Sequence, residues 1–460
     1  MVMEGVSRYW WKLPGGFSID STFHDMVTRR SGLERGLSLT IVALFFYGFA
    51  GQGFRYSLGM VGSSVLMVVL FCAFIMFFHL SGRVVTLRRL PTLVWAYVLW
   101  CCLSIFWSMY PSTTVTSMIV TVGAAIIGTG IGIALPLNRL IDLLICSFKW
   151  IIGVSYALEL FVAVMLREKL APPIMWDWPE VPELYYWVNN ALFEGGVIQG
   201  FMGNRNPFSF VALLLLICLI GRWLSCRSDT LSTLIWVALA VLTLALTKSA
   251  TTTMASAAVL AVAAALGLVR ATPASRRQIM VLILAVIAAI AIVAAFAARP
   301  FVTKVLGRSS DMTGRGEIWQ TILPMWAEHP VLGWGWTIGW PADREPFKNL
   351  IPRADGTPTT QAHNAYIEAL FQTGIVGLVL VVGIVVLILA RSLWHALSHF
   401  DEDLMSIVPF VLMTALVVQS ISESRLLFEG NWILLVALAT WAKLRSGRSV
   451  AAATAQAANQ

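Results

Sequence analysis

Charge is the scarcest property of this chain. Only 12% of its 460 residues are Asp, Glu, Lys or Arg, against about 25% in ordinary soluble domains. With 58% hydrophobic residues and a mean hydropathy of +0.78, a single water-exposed globule is excluded, because it would leave large apolar patches in solvent. Cysteine is sparse and badly placed for cross-linking. Cys72, Cys101, Cys102, Cys146, Cys218 and Cys226 fall inside apolar runs or beside one basic loop, so no disulfide framework is expected. No spacing of His, Cys, Asp and Glu resembles a metal site; no metal, no cofactor and no nucleic-acid partner is expected. There is no repeat of fixed period, no boundary to a soluble domain, and no low-complexity tract beyond the Ala-rich residues 451–459.

What is abundant is apolar sequence in long runs. About twelve stretches can cross a bilayer as helices of roughly 20 residues. They lie near 37–54, 58–80, 91–108, 114–135, 140–165, 205–221, 230–247, 251–269, 278–298, 365–390, 404–421 and 431–443. The expected fold is an all-α integral membrane protein with two large outward-facing loops, about 166–204 and 299–364, that contain short amphipathic helices. Orientation follows from the basic residues. Arg83, Arg88, Arg89, Arg139, Arg222, Arg270, Arg391 and Lys443 collect on alternate turns, while the connections near 55, 110 and 248 hold one Lys or Arg at most. This asymmetry places both termini in the cytoplasm. Residues 1–36 lack a cleavable leader pattern and carry Trp10, Trp11 and Phe17 among Arg8, Lys12, Arg29 and Arg30. They read as an interfacial arm or as disordered chain. Residues 37–445 form one polytopic domain, and 446–460 read as a disordered cytoplasmic tail.

Long loops that hold structure are usually functional, and 299–364 is the richest in reactive groups. Ile318, Trp319, Ile322, Leu323 and Trp326 recur at helical spacing, which predicts an amphipathic helix capped by Thr313 or Gly314, with Glu317 in its first turn. Arg315 then sits at a helix N-terminus, where free N–H groups and a bidentate guanidinium suit a phosphate; a structural pair with Glu317 or Asp311 is the alternative. Next, His329-Pro330-Val331-Leu332-Gly333-Trp334-Gly335-Trp336 interleaves glycine with indole. Such turns present flat faces that stack on sugars or anchor among headgroups, and His329 reads as structural. His363 opens the span 365–390, where the positive end of the helix favours the uncharged imidazole that can accept a proton; a capping histidine is the alternative. Three more turns face the same way, carrying Arg205, Lys248 and Arg425. Each alone reads as a satisfied loop charge, but a shared chamber would require their convergence.

These residues carry a family resemblance. Arg315-Gly316-Glu317-Ile318-Trp319, then His329 to Gly335, then His363-Asn364-Ala365-Tyr366-Ile367-Glu368 with Gly374-Ile375-Val376-Gly377 resemble the signature of the O-antigen ligase and polymerase superfamily. The match covers mainly 300–380, with weaker likeness over 196–260. The resemblance implies a membrane glycosyltransferase of the C type, inverting and metal-independent, that uses an undecaprenyl-pyrophosphate-linked oligosaccharide donor. The acceptor would be a growing polysaccharide or lipid A-core, with membrane lipid and other polysaccharide assembly proteins as further partners. It also implies Arg315 on the donor pyrophosphate and His363 at the acceptor hydroxyl as the catalytic pair. Arg205, Lys248, Asn364, Trp319, Trp334 and Arg425 are the candidate pyrophosphate or glycan contacts. A second arginine that the family usually carries after a Ser near 247–251 is absent, and Lys248-Ser249-Ala250 stands there; Lys lacks the bidentate fork. Gly196–Pro207 looks more like exopolysaccharide polymerases, which favours polymerisation over ligation. The rivals from other classes are a lipid-linked oligosaccharide flippase or transporter, which would need ionisable groups at mid-membrane, and a structural subunit of an export complex.

Overall fold

The computed structural model describes residues 19–225, 230–305, 315–348, 350–353 and 356–458, and it is 75% helical with no strands among them. Its helices are α1 (Ile19–Phe49), α2 (Gly51–Leu80), α3 (Thr92–Leu103), α4 (Pro111–Ala134), α5 (Leu137–Phe161), α6 (Arg205–Leu224) and α7 (Thr230–Thr247). They continue with α8 (Ala250–Ala271), α9 (Arg277–Val305), α10 (Arg315–Trp326), α11 (Ala365–His399), α12 (Val408–Ser420) and α13 (Glu429–Ala458). The protein is an all-α membrane protein. Among the described residues nine helices are long and apolar enough to cross a bilayer, and Thr92–Phe106 and Leu404–Ser420 are shorter apolar helices.

Burial separates the helices by role. α6 is apolar on all sides, and 78% of its span is buried, as befits a helix surrounded by protein. The span Ala274–Ala291, by contrast, has none of its residues buried inside the protein, and from Ile279 onward its side chains are all apolar. α4 and α13 pack closely because α4 carries glycines one turn apart. A Cβ at Gly128 would lie 2.7 Å from the Ile433 carbonyl oxygen, and one at Gly132 would lie 2.6 Å from that of Ala437. Three acidic or basic residues fall within the apolar run 140–165: Asp142 pairs with Arg222 at 2.9 Å and Lys149 lies over the Trp236 ring. Glu159 Oε1 accepts the Gln199 and Gly200 N–H groups at 2.9 and 2.8 Å, so it anchors the loop that returns into α6.

Two boundaries differ from the sequence reading. α1 begins at Ile19, inside the segment expected to be an interfacial arm, and residues 1–18 lie outside the described residues. The last helix runs on to Ala458 rather than ending near 443, because alanine is the best helix former and replaces the expected tail with helix. The amphipathic helix forms where its periodicity predicts, as α10, but its expected cap residues Thr313 and Gly314 lie outside the described residues.

α11 is broken at Gly374, whose φ of +66° is left-handed. A break inside an apolar helix frees carbonyls that lipid cannot satisfy. Here the loop carrying His329–Trp336 satisfies them. Trp334 N–H donates to the Phe371 carbonyl at 3.1 Å, Gly335 N–H to that of Gln372 at 2.9 Å, and Ile375 N–H to that of Pro330 at 2.9 Å. The Trp100 indole donates to the Thr373 carbonyl at 2.9 Å. The loop is pinned from its other side as well: Trp336 N–H donates to Ser104 Oγ, its indole to Thr121 Oγ1, and Tyr110 Oη to the Gly335 carbonyl. The fit leaves no room at the break, since a Cβ on Gly374 would lie 2.0 Å from the Val331 carbonyl oxygen. Gly374→Ala is therefore expected to destabilise the protein by roughly 2–4 kcal/mol, from the left-handed backbone plus the clash. Gly267→Ala, which meets nothing within 4 Å, should be neutral or slightly stabilising. Thermal unfolding in detergent distinguishes them, and equal midpoints would remove the break as a constraint.

Candidate active site

The N-terminal turn of α11 sets the site. Asn364 is its N-cap: Oδ1 accepts the Tyr366 and Ile367 N–H groups at 2.9 and 3.0 Å, and Nδ2 donates to the Ile421 carbonyl. The chain turns sharply just before it, and His363 has a φ of +51°. Lys248 and Glu429, with φ of +46° and +57°, share this left-handed conformation, which is costly for residues with a Cβ and tends to collect at functional sites. Below the turn, Glu368 is fully buried and accepts four hydrogen bonds, from the Trp340 indole, the Gln372 amide, Ala362 N–H and Ser424 Oγ. Trp319 of α10 donates to the Ala362 carbonyl at 2.9 Å. That bond ties the helix bearing Arg315 directly to the turn bearing His363.

Glu423, in the turn between α12 and α13, joins the reactive groups. Its Oε1 accepts from Arg315 Nη2 at 3.1 Å and from Asn206 Nδ2 at 3.0 Å, and its Oε2 lies 3.3 Å from His363 Nδ1. Asn206 Oδ1 in turn accepts from Ser249 Oγ at 2.9 Å, and Ser422 Oγ donates to Thr251 Oγ1 at 3.2 Å. The turns at 203–207, 247–251 and 422–431 thus meet at one end of the bundle, together with α10 and α11. Only 5% of the Glu423 side chain is exposed. Burial alone would raise its carboxyl, but the hydrogen bond and charge of His363, then Arg315 and Arg425, hold it below the ordinary glutamate range. A second carboxylate lies in the same turn region. Glu429 accepts from Arg55 Nη2 at 2.9 Å and from Arg425 Nη1 at 2.8 Å. Three arginines and two carboxylates leave one net positive charge before His363 is counted, and that balance suits an anion.

The structure brings together Arg315, His363 and Arg425 of the residues singled out in the sequence. It treats the others differently. Arg315 pairs with Glu423 rather than with Glu317, and Asp311 lies outside the described residues. Asn364 is not placed to bind a ligand, because its amide is committed to capping α11 and to Ile421. Trp334 is buried against His329 and Phe371, with its indole on the Met325 carbonyl, so it forms the core of the loop rather than a sugar-facing surface. Trp319 is half-buried and acts as the strut just described. Lys248 donates to the Gly195 carbonyl at 2.8 Å, and Arg205 is exposed at the start of α6 and, among the described residues, without a hydrogen bond or ion pair. Glu423, Asn206, Arg55 and Glu429 are the groups that motif reading passes over. Their one signal in the sequence is that each is a polar residue in a short turn between apolar runs.

A carboxylate held low in the fold stabilises the protein above the ordinary glutamate range, and that contribution is lost as the pH falls through the lowered value. Thermal unfolding in detergent is expected to fall more steeply on acidification for the wild type than for Glu423→Gln. Parallel curves would remove Glu423 as the charge that matters.

Known proteins resemble the chain over the stretch that carries part of this site. A family described as O-antigen ligase matches residues 233–382, a stretch that contains Arg315 and His363 and ends before Glu423. The exopolysaccharide production protein ExoQ of Rhizobium meliloti (strain 1021) is 24% identical over 334 residues, covering 72% of this chain and 71% of that protein. The motif order, the helical membrane fold and these two similarities together liken the chain to the O-antigen ligase and polymerase superfamily.

Proposed function

We propose that the protein is a membrane glycosyltransferase that polymerises undecaprenyl-pyrophosphate-linked oligosaccharide repeat units at the outer, periplasmic face of the bacterial inner membrane. The observation that carries this reading is Glu423, which holds Arg315 and His363 at one carboxylate although they come from separate parts of the chain. In the tautomer that suits this contact, His363 Nδ1–H donates to Glu423 and Nε2 keeps its lone pair. Nε2 then accepts the proton of an acceptor hydroxyl on the growing polysaccharide, as in other base-and-orienter pairs. The hydroxyl oxygen bonds to the anomeric carbon from the face opposite the leaving group. The carbon–oxygen bond to the lipid pyrophosphate breaks, and the electron pair leaves with the pyrophosphate, so the anomeric centre inverts. Arg315 stabilises the charge that develops there, since cations aimed at a leaving group act most strongly where water is excluded. Arg425 and Arg55 supply the second cationic position that Lys248, held on Gly195, leaves open.

Orientation rests on the basic residues. Arg83, Arg139, Arg222, Arg270, Arg391 and Lys443 belong to the end of the helices remote from Glu423, which the positive-inside rule assigns to the cytoplasm. A flippase is less well supported, because Asp142, Lys149 and Glu159 are each engaged locally and form no path through the bundle. Ligation onto lipid A-core is the second reading, favoured by the description of the matched family, while the similarity to an exopolysaccharide production protein favours polymerisation.

The test is a liposome assay with a lipid-pyrophosphate oligosaccharide in the presence of EDTA, with products sized on a gel. The wild type is expected to give a ladder of repeat units, and His363→Ala and Arg315→Ala to give none while still inserting in the membrane. Glu423→Gln should slow the ladder by at least about tenfold, because it keeps a hydrogen-bond acceptor but loses the charge that orients the imidazole. A wild-type ladder from His363→Ala would overturn the site. Product only after addition of lipid A-core would transfer the reading to ligation.

A further inference from the structure

At the end of the bundle remote from Glu423, a cavity of 180 Å³ opens between α3, α11 and α13. Its walls include Leu93 of α3, Ile384 and Ile388 of α11, and Ala439 of α13, and Arg391 and Lys443 line it too. The lining contains no carboxylate. The order of these residues along each helix is the same. Arg391 follows Ile384 and Ile388 at helical spacing on one face of α11, and Lys443 follows Ala439 by one turn on α13, so each cation lies about 5 Å farther toward the helix end than the apolar wall. On α3 the polar Thr92 likewise precedes Leu93. The cleft is therefore polar at its end and apolar along its length.

The two cations differ in how they are held. Lys443 Nζ donates to the Leu90 carbonyl at 2.6 Å and to Thr92 Oγ1 at 3.2 Å, which fixes the ammonium beside the first turn of α3. Arg391 is half-buried and, among the described residues, has no hydrogen bond or ion pair. α3 starts after Pro91 with no side-chain cap, so its first N–H groups and its dipole add positive potential at the same place. A guanidinium without a partner beside an apolar cleft in a membrane protein has a complementary ligand in an anionic lipid.

We propose that this cleft binds one anionic phospholipid, its phosphodiester on Arg391 and Lys443 and one acyl chain along Leu93, Ile384, Ile388 and Ala439. The apolar length distinguishes it from a site for free phosphate, which would leave those walls uncovered. The lipid would tie α3 to α11 and α13, the two helices that begin at the Glu423 site, and its binding does not depend on the reaction assigned to that site.

The experiment is native mass spectrometry of the full chain in mild detergent, with thermal unfolding in parallel. Phosphatidylglycerol, phosphatidylcholine with the same acyl chains, and inorganic phosphate are the three probes. Phosphatidylglycerol should be retained one to one and should raise the unfolding midpoint, and the other two should do neither. Arg391→Gln should weaken retention about fivefold, the share of one cation at a lipid headgroup. Ile388→Trp, which fills the cleft and leaves both cations, should abolish it. Equal retention of the two lipids, an equal shift from inorganic phosphate, or wild-type retention by both variants would overturn the proposal. If either variant does not fold, the comparison of the three probes on the wild type decides.

Discussion

A helix in a bilayer can be interrupted only where the freed backbone groups find partners inside the protein. The interruption of α11 at Gly374 meets that condition through the His329–Trp336 loop and the Trp100 indole, and most of the architecture around the site follows from it. The carbonyls of Phe371 and Gln372 take the N–H groups of Trp334 and Gly335, which fixes the loop by main-chain bonds that do not depend on which side chains it carries. Side chains then secure it from the opposite side, with Gln372 Oε1 accepting from Thr337 N–H and Ser117 Oγ from Ile338 N–H. α10 rests on this loop through the Trp334–Met325 bond, and so the helix that carries Arg315 is located relative to α11 by the same break.

The site built on this frame is a balance of charge rather than a single reactive group. Glu423 and Glu429 lie six residues apart on one short segment, and each holds two cationic or potentially cationic partners from distant parts of the chain. Bringing Arg315, Arg425 and Arg55 so close without carboxylates would be repulsive in a partly buried setting. With them, the cations are held in place, and a residual positive charge remains for a ligand that brings more negative charge than one carboxylate.

Much of the fold was legible because composition and helix length in a bilayer are tightly linked. α7 occupies 230–247 as its apolar run predicts and ends at Lys248. α3 and α12 are short, since Ser104 and the turn at 421–424 are recruited to pin loops rather than to extend helices. The site was legible only in part. Arg315 and His363 announce themselves through local motifs, and the helix at 315–326 through its periodicity. Their common partner does not, because the hydrogen bond between Asn206 and Glu423 spans 217 residues and no local pattern encodes it. Trp334 shows the converse limit: alternating Gly and Trp predict a tight turn, but whether an indole faces a cavity or a core depends on Phe371 and Met325, which periodicity cannot bring near.

The dipeptide Glu423-Ser424 has one further consequence. Glu423 is in extended backbone, with φ of −147° and ψ of 140°, so its side chain and that of Ser424 project to opposite sides. One side reaches His363, Arg315 and Asn206. The other reaches Glu368 and the Asn364 N–H. The turn between α12 and α13 is thereby indexed to α11 like a tooth in a rack, with no intermediate setting. A shift that carried Glu423 into the place of Ser424 would turn the carboxylate toward Glu368, which is already fully engaged, and a shift by one residue in either direction would leave the imidazole and the guanidinium facing a hydroxyl. The length of this turn is therefore constrained as tightly as the identity of its residues.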